Sequence, residues 1–233
     1  MLFRSQAGGR CRSLFDPQLE RTVDNGNHLL LSANPNALAF LRATGAEHRL
    51  TAPPGAYFPF VDLTTGERWT VRPNDGPVPW WLLFPSRRVK GAGVLDHLLG
   101  GRIAFARDGE TVAERLGAPG SAIWERLWKP LAVSILNTQP EEADAGLLRR
   151  VLLDSFAKGG RHARPLVAIK SLSDTFVEPA LATLDAAGAE LRLGWRLREL
   201  KGDDGGITGL DFAQGDVPVG PDDRVVLAVP APV

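Results

Sequence analysis

The sequence predicts a mixed α/β protein, and three observations lead there. Short β-branched and aromatic runs bounded by glycine turns fill residues 1–72 and return over residues 166–233. Between them, residues 73–165 carry apolar side chains at helical spacing. Apolar content of 44% and charged content of 23% are ordinary globular values, and 233 residues suffice for one good core or slightly more.

Taken in order, the first block opens on Gly8-Gly9-Arg10-Cys11-Arg12-Ser13 and a short β-branched run, Thr22-Val23-Asp24, with Gly26 behind it. Residues 34–44 read as a helix, with Asn34 able to cap it, Pro35 in its first turn and Gly45 as its stop. Residues 57–63 and 67–71 flank Thr64-Thr65-Gly66 and read as a hairpin. Prolines and aromatics then alternate from Pro73 to Pro85, which prevents regular helix and leaves a loop or an apolar ledge. Such a ledge either packs beneath a connection or frames the entrance for an apolar ligand.

Residues 94–105, 120–136 and 141–157 read as helices. Pro130 is expected to kink or break the second, and Trp124 and Trp128, four apart, to share one of its faces. Pro140-Glu141-Glu142 is expected to start the third, with acidic charge near its positive end. In the last block residues 166–169 read as a strand, 173–187 as a helix stopped by Gly188, and 190–200, 207–212 and 224–229 as further strands. That strand–helix–strand order suits a mixed α/β layer.

The chemistry concentrates at Gly8-Gly9-Arg10. Paired glycines let the backbone approach a ligand, and the arginine offers a planar fork of donors suited to phosphate or carboxylate. Beside the run at Thr22–Asp24 this makes an anion cradle; the alternative is a tight surface turn followed by a hairpin. No other constellation competes. His28, His48, His97 and His162 show no metal-ligand spacing, and neither a nucleophile elbow nor a phosphate-binding Gly-Lys loop is present.

Gly8-Gly9-Arg10-x-x-Ser13 followed by Val23-Asp24-x-Gly26 resembles the second flavin-contacting segment of the flavin-containing amine oxidase and carotenoid desaturase superfamily. The string Val23-Asp24-Asn25-Gly26-Asn27-His28-Leu29-Leu30-Leu31 resembles one branch of it, the squalene-associated FAD-dependent desaturases, or hydroxysqualene dehydroxylases, of hopanoid synthesis. The resemblance continues through residues 124–131, Asn137-Thr138 and the closing strands, over nearly the whole chain.

It implies a partial FAD-binding, Rossmann-like domain with a helix-rich substrate domain inserted. Residues 1–72 and 166–233 then belong to the cofactor side, and 73–165 to the substrate side. FAD is the implied cofactor. Gly8, Gly9 and Arg10 would lie along its pyrophosphate and ribose, with Ser13 steadying the turn. Gly26, Asn27 and His28 would approach the flavin, and the main chain of Leu197 would meet the adenine. Residues 225–230 would form the buried strand that follows. His28 has two readings, an acid near a leaving hydroxyl or a structural donor to the cofactor. The implied reaction replaces the hydroxyl of hydroxysqualene with hydrogen. Phytoene-desaturase-like and amine-oxidase-like chemistry are the rivals, and fold alone does not separate them.

A dinucleotide fold opens with a strand, a Gly-x-Gly-x-x-Gly turn and a helix within about 30 residues. Residues 1–7 do not hold that unit and contain no Asp or Glu, and no closing Gly-Asp segment follows the last strand. The expectation is a piece of the enzyme cut at both ends, silent by itself or completed by a partner.

Composition narrows the partners. Lys+Arg and Asp+Glu balance at 27 each, against a polyanion such as nucleic acid. One cysteine, Cys11, excludes an internal disulfide and fits a reducing compartment; two flanking arginines are able to activate its thiol. Met1-Leu2-Phe3-Arg4 does not open a signal peptide, and no run approaches the roughly 18 apolar residues of a membrane span. The expected setting is cytoplasmic, with a hydrophobic isoprenoid substrate and at most peripheral contact with a membrane.

Overall fold

A computed structural model of the chain describes residues 6–26 and 29–228. The chain runs through β1 (Ser13–Asp16), β2 (Arg21–Asp24), β3 (Leu30–Leu31), α1 (Pro35–Ala43), β4 (Leu50–Thr51), β5 (Phe58–Val61) and β6 (Arg68–Val71). Then come α2 (Val94–Leu99), α3 (Val112–Leu116), α4 (Lys129–Leu136) and α5 (Ala145–Asp154). The last block holds β7 (Pro165–Ala168), α6 (Glu178–Ala186), β8 (Leu197–Asp203), β9 (Gly206–Phe212) and β10 (Gly215–Pro218). Mixed helices and sheets are the expected class. The described strands pair antiparallel, in the hairpins β1–β2 and β5–β6, the meander β8–β9–β10 and the small sheet β3–β7–β4.

That small sheet ties the ends of the sequence together. β7 enters between two strands of the first block, pairing Leu30 with Leu166 and Leu50 with Ala168. Most of the buried apolar residues gather elsewhere, in two clusters centred on the middle block. Val112, Leu116, Trp124, Leu148 and Leu152 centre one, and Val71, Val89, Ala92 and Ile123 the other. Trp128 packs against both. The β5–β6 hairpin adds Phe58, Phe60 and Trp69 to the second cluster, the last two rings stacked 5.5 Å apart.

Several elements differ from expectation, each for a local reason. Pro130 does not break its helix. The turn before it, Trp124–Trp128, is π-helical, and the Lys129 N–H donates to the Trp124 carbonyl five residues back. A widened turn removes the clash that a proline ring makes with the carbonyl four residues earlier. The same device precedes Pro179, where Ser173–Val177 forms a π-turn and the Glu178 N–H reaches Ser173. In each case a hydroxyl four residues on, Ser134 or Thr183, donates to the proline carbonyl at 2.7 or 2.8 Å. The wider turn also separates the two tryptophans: Trp124 is buried in the core, whereas Trp128 is only half-buried.

The helix expected from residue 141 begins at Ala145. Asp144 caps it by accepting from the Leu147 N–H at 2.8 Å, while the Pro140 and Ala143 carbonyls accept from Ala113 and Val112 at the start of α3. Asn34 does not cap α1; its Oδ1 accepts from the Leu31 N–H instead. The strand expected over 190–200 begins only at Leu197, after a turn with Gly194 at φ +75°. It pairs with β9 rather than β7, so no strand–helix–strand layer forms there. Residues 224–228 form no strand. No described strand offers them a ladder partner, and Val226 is 86% exposed rather than buried. Val229 and Pro230 lie outside the described residues. Among the described residues no helix is long and apolar enough to cross a membrane.

Candidate functional site

Two neighbourhoods carry chemistry, and they are built differently. The first is the glycine–arginine loop. Gly8 and Gly9 take left-handed φ of +98° and +58°, and the turn closes with the Cys11 N–H donating to the Gly8 carbonyl at 2.8 Å. A Cβ on Gly8 would sit 2.6 Å from a Val177 methyl and 2.9 Å from the Cys11 carbonyl, so both φ and space require glycine here. The chain then enters the β1–β2 hairpin.

That hairpin is bolted to the helix of the last block. Ser13 and Asp24 face each other across the strands, and the Ser13 hydroxyl donates to Asp24 Oδ1 at 2.6 Å. The same carboxylate oxygen accepts from the Leu172 N–H at 2.9 Å. Ser13 and Ser173 bond reciprocally, each backbone N–H donating to the other's hydroxyl oxygen at 2.7 and 2.9 Å. Ser13 thus ties the start of the hairpin to the start of the last block's helix. Bonds that involve the charged carboxylate contribute about 1.5–3 kcal/mol and the neutral ones about 1 kcal/mol each.

The loop's cations are unpartnered among the described residues. Arg10 is exposed and has no hydrogen-bond or ion-pair partner among the described residues. Arg12 Nε is buried without an acceptor, and such a group ordinarily has one. Gly26 is half-buried just past β2, and Leu197 stands half-buried at the start of β8. Asn27 and His28 lie outside the described residues. Cys11 is not an activated thiol. Burial first, and the Asp24 carboxylate second, push its pKa up despite the neighbouring arginines.

The second neighbourhood is an apolar cavity of about 340 Å³. Phe58, Phe60 and Val71 of the hairpin form one wall, and Trp81 and Leu82 of the 73–85 stretch another. Trp128, Leu131, Leu152 and Phe156 close it from the helices. Gly100 admits the Trp128 ring: a Cβ there would fall 2.1 Å from Cζ2. The one lining side chain that titrates near neutral pH is His97. Its Nε2 accepts from the Val89 N–H at 3.3 Å, and Nδ1 lies 2.7 Å from the Gly93 carbonyl, which fixes a neutral imidazole with its proton on Nδ1. Burial pushes its pKa below the ordinary 6.5, and its ring stands edge-on to Trp81 at 5.7 Å. Both nitrogens are engaged, so the lining is apolar in character and presents no free acid or base to the cavity.

Sequence reasoning found the 73–85 stretch but missed the walls supplied by Phe58, Phe60, Leu152 and Phe156. The alternation of Phe58 and Phe60 about Pro59 was the available signal, since period two puts both on one face of a strand.

Comparison with known proteins converges on one family. The chain matches the sequence profile of the flavin containing amine oxidoreductases over residues 3–233, and it belongs to that family. It is 42% identical to a hydroxysqualene dehydroxylase of Sinorhizobium fredii over 225 residues, 97% of this chain and 54% of the relative. Proteins of the same name from Zymomonas mobilis and Rhodopseudomonas palustris are 39% and 40% identical, again over 97% of this chain and 55% and 54% of their own lengths. The chain spans about half the length of the curated relatives it matches. Family membership implies a flavin cofactor. The loop fits the anionic part of such a group: two left-handed glycines, an exposed guanidinium and a buried, unpartnered Arg12 donor are together.

Proposed function

We propose that this chain is part of an FAD-dependent oxidoreductase acting on a squalene-type isoprenoid, with reductive dehydroxylation of hydroxysqualene to squalene as its reaction. The observation that carries the substrate class is the cavity, whose walls are almost wholly apolar and whose one imidazole is engaged at both nitrogens. The reaction is supported by the three hydroxysqualene dehydroxylases that the chain resembles.

On this reading residues 1–72 and 166–233 hold the cofactor and residues 73–165 take the substrate. Gly8, Gly9 and Arg10 accept the pyrophosphate, with Arg12 Nε as a further donor and Ser13 locking the turn to Ser173. Gly26, Asn27 and His28 are assigned to the flavin end, and the Leu197 main chain to the adenine. When bound, the reduced flavin supplies the hydride that replaces the hydroxyl. The protein's part is to exclude water with Phe58, Phe60, Trp81 and Trp128 and to align the chain of the substrate.

The test incubates the protein, at the full length its gene encodes, anaerobically with reduced FAD and hydroxysqualene, phytoene or an amine. Squalene should form from the first, and the others should be inert. Turnover of phytoene or an amine at a comparable rate would replace this assignment by a desaturase or amine oxidase. Arg10→Ala should weaken FAD binding by about 1.5–3 kcal/mol, the range for bonds to charged groups. Unchanged affinity in a folded variant would remove the pyrophosphate role.

A further inference from the structure

We propose that the rim of the apolar cavity is a docking face that seats on a bilayer containing anionic phospholipid. Two segments that wall the cavity also present apolar side chains to solvent. Along 77–84, Pro77, Pro79, Trp81 and Leu82 line the cavity, while Val78, Trp80, Leu83 and Phe84 between and beyond them are exposed. Along 95–105, Leu98, Gly101 and Ala104 line it, while Leu95, Leu99 and Phe105 point outward. The two segments that wall one cavity therefore also expose large apolar groups, with Leu83 70% and Phe105 77% exposed. A contiguous apolar patch around a cavity mouth marks a binding surface rather than ordinary solvent exposure.

Charge on the same segments selects the occupant. Arg87 and Arg102 have no carboxylate partner among the described residues, and Arg87 lies over the Trp80 ring at 4.9 Å. The one carboxylate within 77–105, Asp96, is turned inward to accept from the Gly93 N–H at 2.7 Å. Cations spaced among exposed Trp, Phe and Leu complement a negatively charged, greasy surface. An aromatic with one apolar side and a guanidinium above it suits the headgroup boundary. A bilayer seated here would open onto the cavity, so an apolar ligand could enter without crossing water. The docking stands apart from the reaction, because it is measured with no substrate present.

The experiment sediments the protein, at the full length its gene encodes, with vesicles of phosphatidylcholine alone or with added phosphatidylglycerol. Binding should require phosphatidylglycerol and fall with added salt. Replacing Leu83 and Phe84 together by serine should weaken it about ten-fold or more. Arg102→Gln should weaken it about five-fold. Leu63→Ser, at a site 90% exposed on the β5–β6 turn, should leave it unchanged. Because all four side chains are exposed, circular dichroism and unfolding midpoints should match the parent. Absence of phosphatidylglycerol-dependent binding overturns the proposal, and so does full binding by the Leu83, Phe84 variant. Dimers of the parent that this variant dissolves would place a second copy on the face and overturn it equally.

Discussion

The cavity and the glycine–arginine loop are held by opposite means. Around the cavity, walls from residues 58–157 press apolar surface together, and the polar group that intrudes, His97, is satisfied at both nitrogens. Around the loop little is buried. Its geometry rests on a few hydrogen bonds from Ser13 and Asp24 to Ser173 and Leu172, 160 and 148 positions away, and its arginines have no partners among the described residues. Packing is collective and resists local change. A hydrogen-bonded tether can release alone. The difference predicts that substitutions in the two regions will differ in kind.

The largest effect should come from Gly100→Ala. Its new methyl would fall 2.1 Å from the Trp128 ring, and that ring joins both buried clusters. Overpacking of this kind costs about 1–3 kcal/mol, more than the helix propensity alanine gains. The urea midpoint should fall cooperatively by every probe, and a smaller side chain in Trp128→Leu should relieve the added cost in a double-mutant cycle. An unchanged midpoint for Gly100→Ala would mean that the chamber is loose.

Asp24→Ala should act on the loop alone. It removes one oxygen that accepts from both the Ser13 hydroxyl and the Leu172 N–H, a loss of about 1–3 kcal/mol in local terms. Amide exchange in β1, β2 and residues 171–174 should quicken while the middle block keeps its protection. Global unfolding at the same reduced midpoint as Gly100→Ala would erase the contrast between the regions.

These two means of support also decide what could be read in the sequence. Periodicity and turn residues announced α1, the β5–β6 hairpin and the helices near 94, 122 and 145, because each is stabilised by its own neighbours. Proline rules announced a kink or break at Pro130, and the chain met the proline with a π-turn, a hydrogen-bond pattern that side-chain spacing does not encode. The expected strand at 224–229 failed for a different reason, since β-branched residues advertise a strand only where a partner edge exists. In the loop, the glycine turn at Gly8 and Gly9 was legible from local chemistry, whereas the anchoring of Ser13 on Ser173 was not. A contact across 160 residues leaves no mark in either segment.

A smaller effect should come from His97, and its sign is fixed. Its folded pKa lies below the ordinary 6.5, chiefly because burial disfavours the charged ring. Between about pH 6.5 and the folded value, the unfolded chain binds a proton that the folded chain refuses. The stability contributed by this site is therefore complete above about pH 6.5 and is lost as pH falls through the folded value. His97→Gln, which keeps a donor and an acceptor, should flatten the acid limb of the stability curve. A difference from the parent that does not change with pH would show that His97 titrates normally and that the chamber wall is wet.

The smallest effect on stability belongs to Arg10→Ala, and it makes the sharpest test of the comparison. Arg10 is exposed and has no partner among the described residues, so its removal deletes no contact that the folded chain depends on. Surface changes of that sort stay within about 0.5 kcal/mol. Its guanidinium nevertheless stands directly after two left-handed glycines, in a loop that also buries the unpartnered Nε of Arg12. Like charges held close repel, so deleting one of them should leave stability equal or slightly higher at low salt, with the gain vanishing as salt is added. A thermal-melt series against salt reads this directly. A marked loss of stability instead would mean that Arg10 is a structural strut, and the loop would then be held as the chamber is, by its own contacts.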